Sequence, residues 1–450
     1  MTRHRGFALL GALVGVVALV CAAIIGGFAV LGGHPDPRDS AAGSSRDTRT
    51  QARTPVGTAA PASAGIWTGT WAAAPGGAEP GAPTGHPGRS IRNVVHTSIG
   101  GTGVRITLSN LYSASPLLIG HASVAVGVAD QQGAAGSGTG AAAVTGTMRQ
   151  LTFGRRTAVT VPPGGQIISD PAPLRVGPGS DLLVTVYTPA PGGPVTFHPR
   201  ALQTSYLANG DHTEDLDGTA YTEPTRVWRY LTAVDVLNRA ARGAVVTFGD
   251  SITDGVGSRT DTNHRWPDTL AARLRDQQIG VVNEGISGNR VLGDRLRQGS
   301  GAKGVSRFRR DVLDRAGVKV VVIDLGINDI IGAGERDPAR ITAGLRNLTR
   351  QAHARGLRVV GSTLSPSGGH PRHNAANESV RTAVNAEIRS GRVYDEVIDF
   401  DRVLRDPYAP DRLRPAYDCG DHLHPSDAGY RAMGRAIDLQ VLEGRAPAQL

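Results

Sequence analysis

Near Arg242 the hydrophobic pattern changes its period, and this change limits the possible folds more than any other feature of the chain. Before it, from Ile66 to about Leu237, short runs alternate apolar and polar residues. Val104, Ile106 and Leu108 form one buried strand face. Similar runs occur at 117–128, 159–161, 167–168 and 182–187. Clusters such as Pro162-Pro163-Gly164-Gly165 and Pro191-Gly192-Gly193-Pro194 separate them. Many short strands with frequent turns predict a β-sandwich or jelly roll over 66–240, with a flexible Gly/Ala loop at 133–144.

After Arg242 the strands become continuous apolar runs, at 244–248, 318–325 and 357–361. Between the last two, residues 338–355 have helical spacing, with Ile341, Leu345 and Leu348 on one face and Gly356 as the stop. Strands of that kind alternating with helices imply a parallel sheet covered on both faces, here over 241–450. Such sheets bind ligands beyond the carboxyl ends of their strands.

The N-terminus carries Arg3, His4 and Arg5 and then an uncharged apolar run from Gly6 to about Gly33. The run exceeds the apolar core of an ordinary signal peptide and is long enough to span a bilayer. Residues 1–33 therefore read as a signal peptide or a membrane anchor, the length favouring the anchor. The arginines would stay inside, which places the rest of the chain outside the cell. Residues 34–65 are rich in Pro, Ala, Ser, Thr and Gly and read as a disordered linker. The net charge is +9. Six arginines (3, 5, 38, 46, 49, 53) against three aspartates (36, 39, 47) put +3 of it ahead of the folded region. The remainder forms no basic block, and aromatics are only 4%, so a nucleic-acid partner is not expected. The cysteines are Cys21, inside the apolar run, and Cys419, read as a small packing residue.

Four short blocks follow the predicted strands or precede the last predicted helix. They are Gly249-Asp250-Ser251-Ile252-Thr253, Gly285-Ile286-Ser287-Gly288-Asn289-Arg290, Gly326-Ile327-Asn328-Asp329 and Asp421-His422-Leu423-His424-Pro425. A serine at a strand exit can lift its hydroxyl above the sheet. A serine hydroxyl is a poor nucleophile until a base takes its proton, and imidazole suits that task. His424 is the candidate base, and the spacing of three lets Asp421 orient its ring. Taken singly, Ser251 reads as a capping serine, Gly288 as a turn glycine and Asn328-Asp329 as a strand-exit cap.

Taken in order, the four blocks resemble the SGNH subgroup of the GDSL esterase/lipase family over roughly 243–445, and look like exported actinobacterial-type members with an N-terminal β region. The fourth letter of the GDSL string is replaced by Ile252, with Thr253 beside it. The resemblance implies a flavodoxin-like three-layer domain and a serine esterase or lipase that forms an acyl-Ser251 intermediate. It places the base at His424 rather than His422. It also supplies the oxyanion donors, namely the Ser251 and Gly288 backbone N–H groups and the Asn328 amide. No metal and no cofactor is expected. His370 and His373 lack a third ligand and sit in a loop, 364–373, expected to border the pocket. The expected partner is a small-molecule or polymer ester, with membrane contact through the N-terminal segment if it is uncleaved. Lipid or short-chain esters come first and O-acetyl carbohydrates next, because Trp67 and Trp71, the obvious sugar platforms, read as core residues. The rival reading is a surface-tethered glycan-binding protein with an inactive hydrolase domain.

Overall fold

The computed structural model describes residues 66–128, 139–296 and 299–443. The segments read as signal peptide or anchor (1–33) and as linker (34–65) lie outside the described residues. Among the described residues no helix is long and apolar enough to cross a membrane.

The second region is a three-layer α/β sandwich. Five strands, β1 (Gly243–Gly249), β2 (Ile279–Gly285), β3 (Val318–Asp324), β4 (Arg358–Ser362) and β5 (Glu396–Ile398), form one parallel sheet in the order β2-β1-β3-β4-β5. This is the flavodoxin-like order, with its switch point between β1 and β3. Alternate residues of β1 feed two cores. Val246 and Phe248 pack with Ile341, Leu345 and Leu348 of helix Pro338–His353. Val245 packs on the other face with Trp266 and Leu270 of helix Trp266–Leu274 and with Met433 of helix Asp427–Ala436. Burial on both faces is why these strands read as continuous apolar runs. The short strand β5 escaped the sequence reading because Glu396-Val397-Ile398 offers too few residues to show a period.

The first region is a β-sandwich. A four-stranded sheet that includes Ile66–Ala72, Val104–Ser109 and Leu231–Asn238 faces a six-stranded sheet centred on Arg89–His96 and Asp181–Thr188. Ile106, Val234 and Val236 from one sheet meet Ile91, Val184 and Val186 from the other in a common core. The run at 117–128 divides at Gly120 into two strands with different partners, Leu117–Ile119 on Val159–Val161 and His121–Val126 on Asp181–Thr188. The described part of the Gly/Ala stretch is packed rather than loose. Ala141 and Ala143 are buried, and the Ala141 carbonyl accepts from the buried Arg92 guanidinium at 2.6 Å.

The two regions touch closely. The Gly69 N–H donates to the Ala316 carbonyl at 2.9 Å. A Cβ on Gly280 of β2 would stand 2.2 Å from the Gly69 carbonyl oxygen, so glycine there permits a backbone-to-backbone contact no other residue allows. Trp71 is buried, edge-on to Trp228 at 4.9 Å, while half-buried Trp67 carries the Arg105 guanidinium over its ring at 4.7 Å.

Candidate active site

Three of the four blocks lie directly beyond the carboxyl ends of adjacent strands, and the fourth reaches them from the turn before the last long helix. β1 ends at Gly249, and Asp250 caps a one-turn helix, Ser251–Asp254, its carboxylate accepting from the Ile252 N–H at 3.1 Å. Ser251 is thus the first helical residue rather than a loop serine. Gly249 has no room for a side chain: a Cβ would lie 2.1 Å from the Thr253 hydroxyl oxygen.

The fourth block folds as a tight turn. The Asp421 Oδ1 accepts from the backbone N–H groups of Leu423 (3.0 Å) and His424 (2.8 Å), and Oδ2 stands 2.5 Å from His424 Nδ1. Burial raises the cost of ionising Asp421. The hydrogen bonds from His424 and the Leu423 N–H outweigh that cost and hold the carboxyl well below the ordinary range. With Nδ1 donating to a carboxylate, the other nitrogen of a neutral ring is the acceptor. That nitrogen, His424 Nε2, lies 2.8 Å from Ser251 Oγ across a sequence separation of 173. The neighbouring His422 instead pairs with Asp418 at 2.6 Å and makes no contact with the serine.

Gly288 has φ +78, and a Cβ there would meet Ser300 Oγ at 2.7 Å and Arg295 Nη1 at 3.2 Å, so this loop requires glycine. Asn328 sits in the first turn of helix Ile327–Ile331. Its Nδ2 is buried and makes no close hydrogen bond, while its side chain lies near enough to the Asp250 carboxyl to favour the ionised form. A buried donor so loosely held suits a group that gains a stronger acceptor with substrate. The next residue, Asp329, ties this block to the Gly288 loop by accepting from the Val291 (2.8 Å) and Leu292 (2.9 Å) N–H groups.

Two supports were not legible in the sequence. The fully buried Arg307 donates to the Gly249 carbonyl (2.8 Å), the Glu284 carbonyl (2.8 Å) and Asn289 Oδ1 (3.0 Å), clamping the first two blocks together over the Phe248 ring. Asp427, at the start of the last long helix, accepts from Ser258 Oγ at 2.9 Å and Arg259 Nε at 2.6 Å, fastening the loop after Ser251 to the His424 turn. No local pattern gives either residue this role, since both act through partners distant in the chain.

Below the site lie three buried carboxyls. Burial pushes Asp324 and Asp329 each up to about 6, against hydroxyl donors at the first and backbone donors at the second. Burial, followed by the charges of Asp324 and Asp329, raises Asp250 well above its ordinary range. Cys419 is exposed, not packed as expected, and a Cβ on Gly257 would meet its Sγ at 3.1 Å. Ligand atoms of Asp418, Cys419 and Asp421 lie within 4.8 Å of one another, but both carboxylates already hold imidazoles. The 364–373 loop does border the site: His370 feels the charges of Asp421 and His424, and a Cβ on Gly369 would touch the His422 ring.

Residues 247–432 match the GDSL-like lipase/acylhydrolase family. No curated protein matches the chain. Among solved structures, an aryl esterase from M. smegmatis is 22% identical over 44% of this chain and 98% of its own, with a TM-score of 0.37. A carbohydrate acetylesterase from Sinorhizobium meliloti is 20% identical over 45% and 99%, with a TM-score of 0.37. A GDSL-like lipase from Bacteroides thetaiotaomicron is 21% identical over 44% and 88%, with a TM-score of 0.33. The match spans all four blocks, and where it runs the chain has the parallel sheet and the serine–imidazole contact that acyl transfer uses; residues 247–432 carry a GDSL-like lipase/acylhydrolase domain, and the chain is a carboxylic ester hydrolase.

Proposed function

We propose that Ser251, His424 and Asp421 hydrolyse carboxylic esters through an acyl-Ser251 intermediate. The observation that carries this is the unbroken run from Asp421 Oδ2 through His424 to Ser251 Oγ. Ser251 Oγ attacks the ester carbonyl carbon while its proton passes to His424 Nε2. Asp421 stays ionised throughout, holding Nδ1–H and offsetting the imidazolium charge. The negative charge that develops on the carbonyl oxygen meets the Asn328 Nδ2–H and the backbone N–H groups of Ser251 and Gly288. Collapse breaks the ester C–O bond, and the departing alkoxide takes the proton from His424. Water then repeats the cycle on the acyl-enzyme, with His424 again as base, and releases the carboxylic acid.

The substrates are short-chain or lipid acyl esters, with O-acetyl carbohydrates second. Three of the four tryptophans, Trp71, Trp228 and Trp266, are buried, and Trp67 is covered by Arg105, so none is offered as a sugar platform. The charged N-terminus and apolar run support a site outside the cell, secreted or tethered. Turnover of p-nitrophenyl esters from acetate to palmitate, beside acetylated xylan, tests the reading with Ser251→Ala as control. Serine-dependent release that favours acetyl or longer esters over xylan is the expected result. Folded protein inert towards every ester would sink the reading.

A further inference from the structure

Among the side chains that the sandwich sends towards the catalytic loops is a buried histidine. His198 belongs to strand Thr196–His198, which pairs with Gly77–Ala78 and Trp228–Arg229 of the first region. Its side chain is 3% exposed, as is that of Asp254, the last residue of the Ser251 helix. Nδ1 lies 2.8 Å from the Ala74 carbonyl oxygen. Nε2 lies 3.1 Å from Asp254 Oδ1 and 3.2 Å from the Arg200 carbonyl oxygen.

These partners settle the charge on the ring. Carbonyl and carboxylate oxygens only accept, and a neutral imidazole has one N–H to give. Either neutral tautomer would aim a nitrogen lone pair at an oxygen lone pair in a buried site, whereas the imidazolium satisfies both edges. Asp254 is in turn arranged as a carboxylate, since its Oδ2 accepts from both the Ser287 N–H (2.9 Å) and the Ser287 hydroxyl (2.5 Å). Ser287 immediately precedes Gly288. One carboxylate therefore joins the nucleophile helix to the oxyanion loop, and its counter-ion comes from the other region.

We propose that His198, held as an imidazolium by Ala74, Arg200 and Asp254, is a positioning residue that fixes Ser251 and Gly288 relative to each other, making the sandwich a working part of the ester-hydrolase site. The inference rests on the function proposed above. Burial lowers the proton affinity of His198, but the Asp254 charge and the three hydrogen bonds overcome it, leaving the ring above the ordinary histidine value. Facing Asp254 from other elements are Arg265, bidentate on Asp268 at 2.8 and 2.9 Å, and Tyr430, whose hydroxyl donates to the Val256 carbonyl at 2.5 Å. On its other side His198 meets the Trp228 ring at 5.5 Å. The sign follows from the raised affinity: the stabilisation is complete below the unfolded histidine value and is lost as pH rises through the folded one.

The test uses the full chain. Histidine ring ¹⁵N spectra at about pH 8, where an ordinary histidine is neutral, should show an imidazolium signal that is missing from His198→Gln. The kcat for p-nitrophenyl acetate should fall on the alkaline side with the midpoint at which that signal titrates. His198→Gln retains a donor towards Asp254 and His198→Asn one towards Ala74, but neither carries charge. Both should lose about 10²-fold in kcat, with KM little changed and the alkaline limb abolished. A neutral His198 ring at that pH, or variants with parental kcat and an unaltered alkaline limb, overturns the proposal. If the variants do not fold, the parental spectrum and pH profile still decide, because an alkaline limb that fails to follow the His198 signal refutes the positioning role. Ser251→Ala should abolish turnover and keep the imidazolium signal. Absence of parental turnover with the signal present would instead refute the hydrolase reading.

Discussion

The sandwich and the α/β region bury comparable stretches of β-structure but use their polar residues differently. In the α/β region three of the site's groups follow their strands by a few residues: Ser251 follows β1, Gly288 follows β2 and Asn328 follows β3. Neighbouring strands then bring these groups together with no further specification, because a parallel sheet aligns all its carboxyl ends. In the sandwich, polar side chains inside the fold mostly satisfy one another or the backbone. Arg92 spans Thr185, Ala141 and Asp215, and Asn93 exchanges hydrogen bonds with the Arg229 backbone. A few look outward to the other region, among them Ser98, whose Oγ accepts from the Val281 N–H at 2.9 Å, and the buried His198. A parallel sheet thus writes its site into sequence order, whereas an antiparallel sandwich contributes to one only where its surface happens to dock.

If that contrast holds, damage to the α/β region should fall on rate and damage to the sandwich core on stability. The largest effect expected is from Ser251→Ala. It should lower kcat by about 10⁴-fold or more with the far-ultraviolet dichroism and melting temperature unchanged. Residual turnover at the parental rate would remove Ser251 from the site. Next is Asn328→Ala. Loss of its amide should reduce kcat by about 10²–10³-fold while KM moves little, as steady-state kinetics across an ester series would show. An equal rise in KM would mean that the amide binds ground-state substrate.

In the sandwich, Ile106→Ala opens a space in a fully buried core and should cost about 3 kcal/mol in denaturant unfolding. The fraction that remains folded should turn over ester at the parental rate per site, counted by covalent titration of the serine. A matching fall in kcat would show that the sandwich core and the catalytic loops are more tightly coupled than the contrast allows. The smallest effect concerns Asp324, which stands at about 6 in the fold because it is buried. The unfolded chain ionises this carboxyl more readily, so the native state loses stability as pH rises from about 4 to about 6. Asp324→Asn should be more stable than its parent by about 2 kcal/mol above that range and equal to it below. A pH-independent difference between the two would place the effect in the hydrogen bonds to Ser362 and Thr253 instead.

The strands β1, β3 and β4, the long helix Pro338–His353 and all four blocks were legible because each declares itself within a short window of sequence. Period, caps and motif order are local properties. The packed stretch around Ala141 misled for the same reason. Gly and Ala report only their own conformational freedom, and nothing nearby announces that Arg92, about 50 residues earlier, will bind the Ala141 carbonyl. Arg307 and Asp427 escaped notice because an arginine or aspartate in an ordinary helix pattern looks like surface charge until its partners are known.

The sequence alone marked out the groups proposed for acyl transfer and the order in which the sheet presents three of them. Residue type sets the chemistry, and strand–helix alternation sets the topology. The resemblance already favours His424 over His422; only the tertiary structure supplied the physical reason, since His424 comes within 2.8 Å of Ser251 while His422 pairs with Asp418. It alone buried the Asn328 amide beside Asp250 and put His198 against Asp254, across a separation of 56 residues. Hydrogen bonding and ion pairing act over a few ångströms in space, whatever the separation along the chain, so these choices exist only after folding.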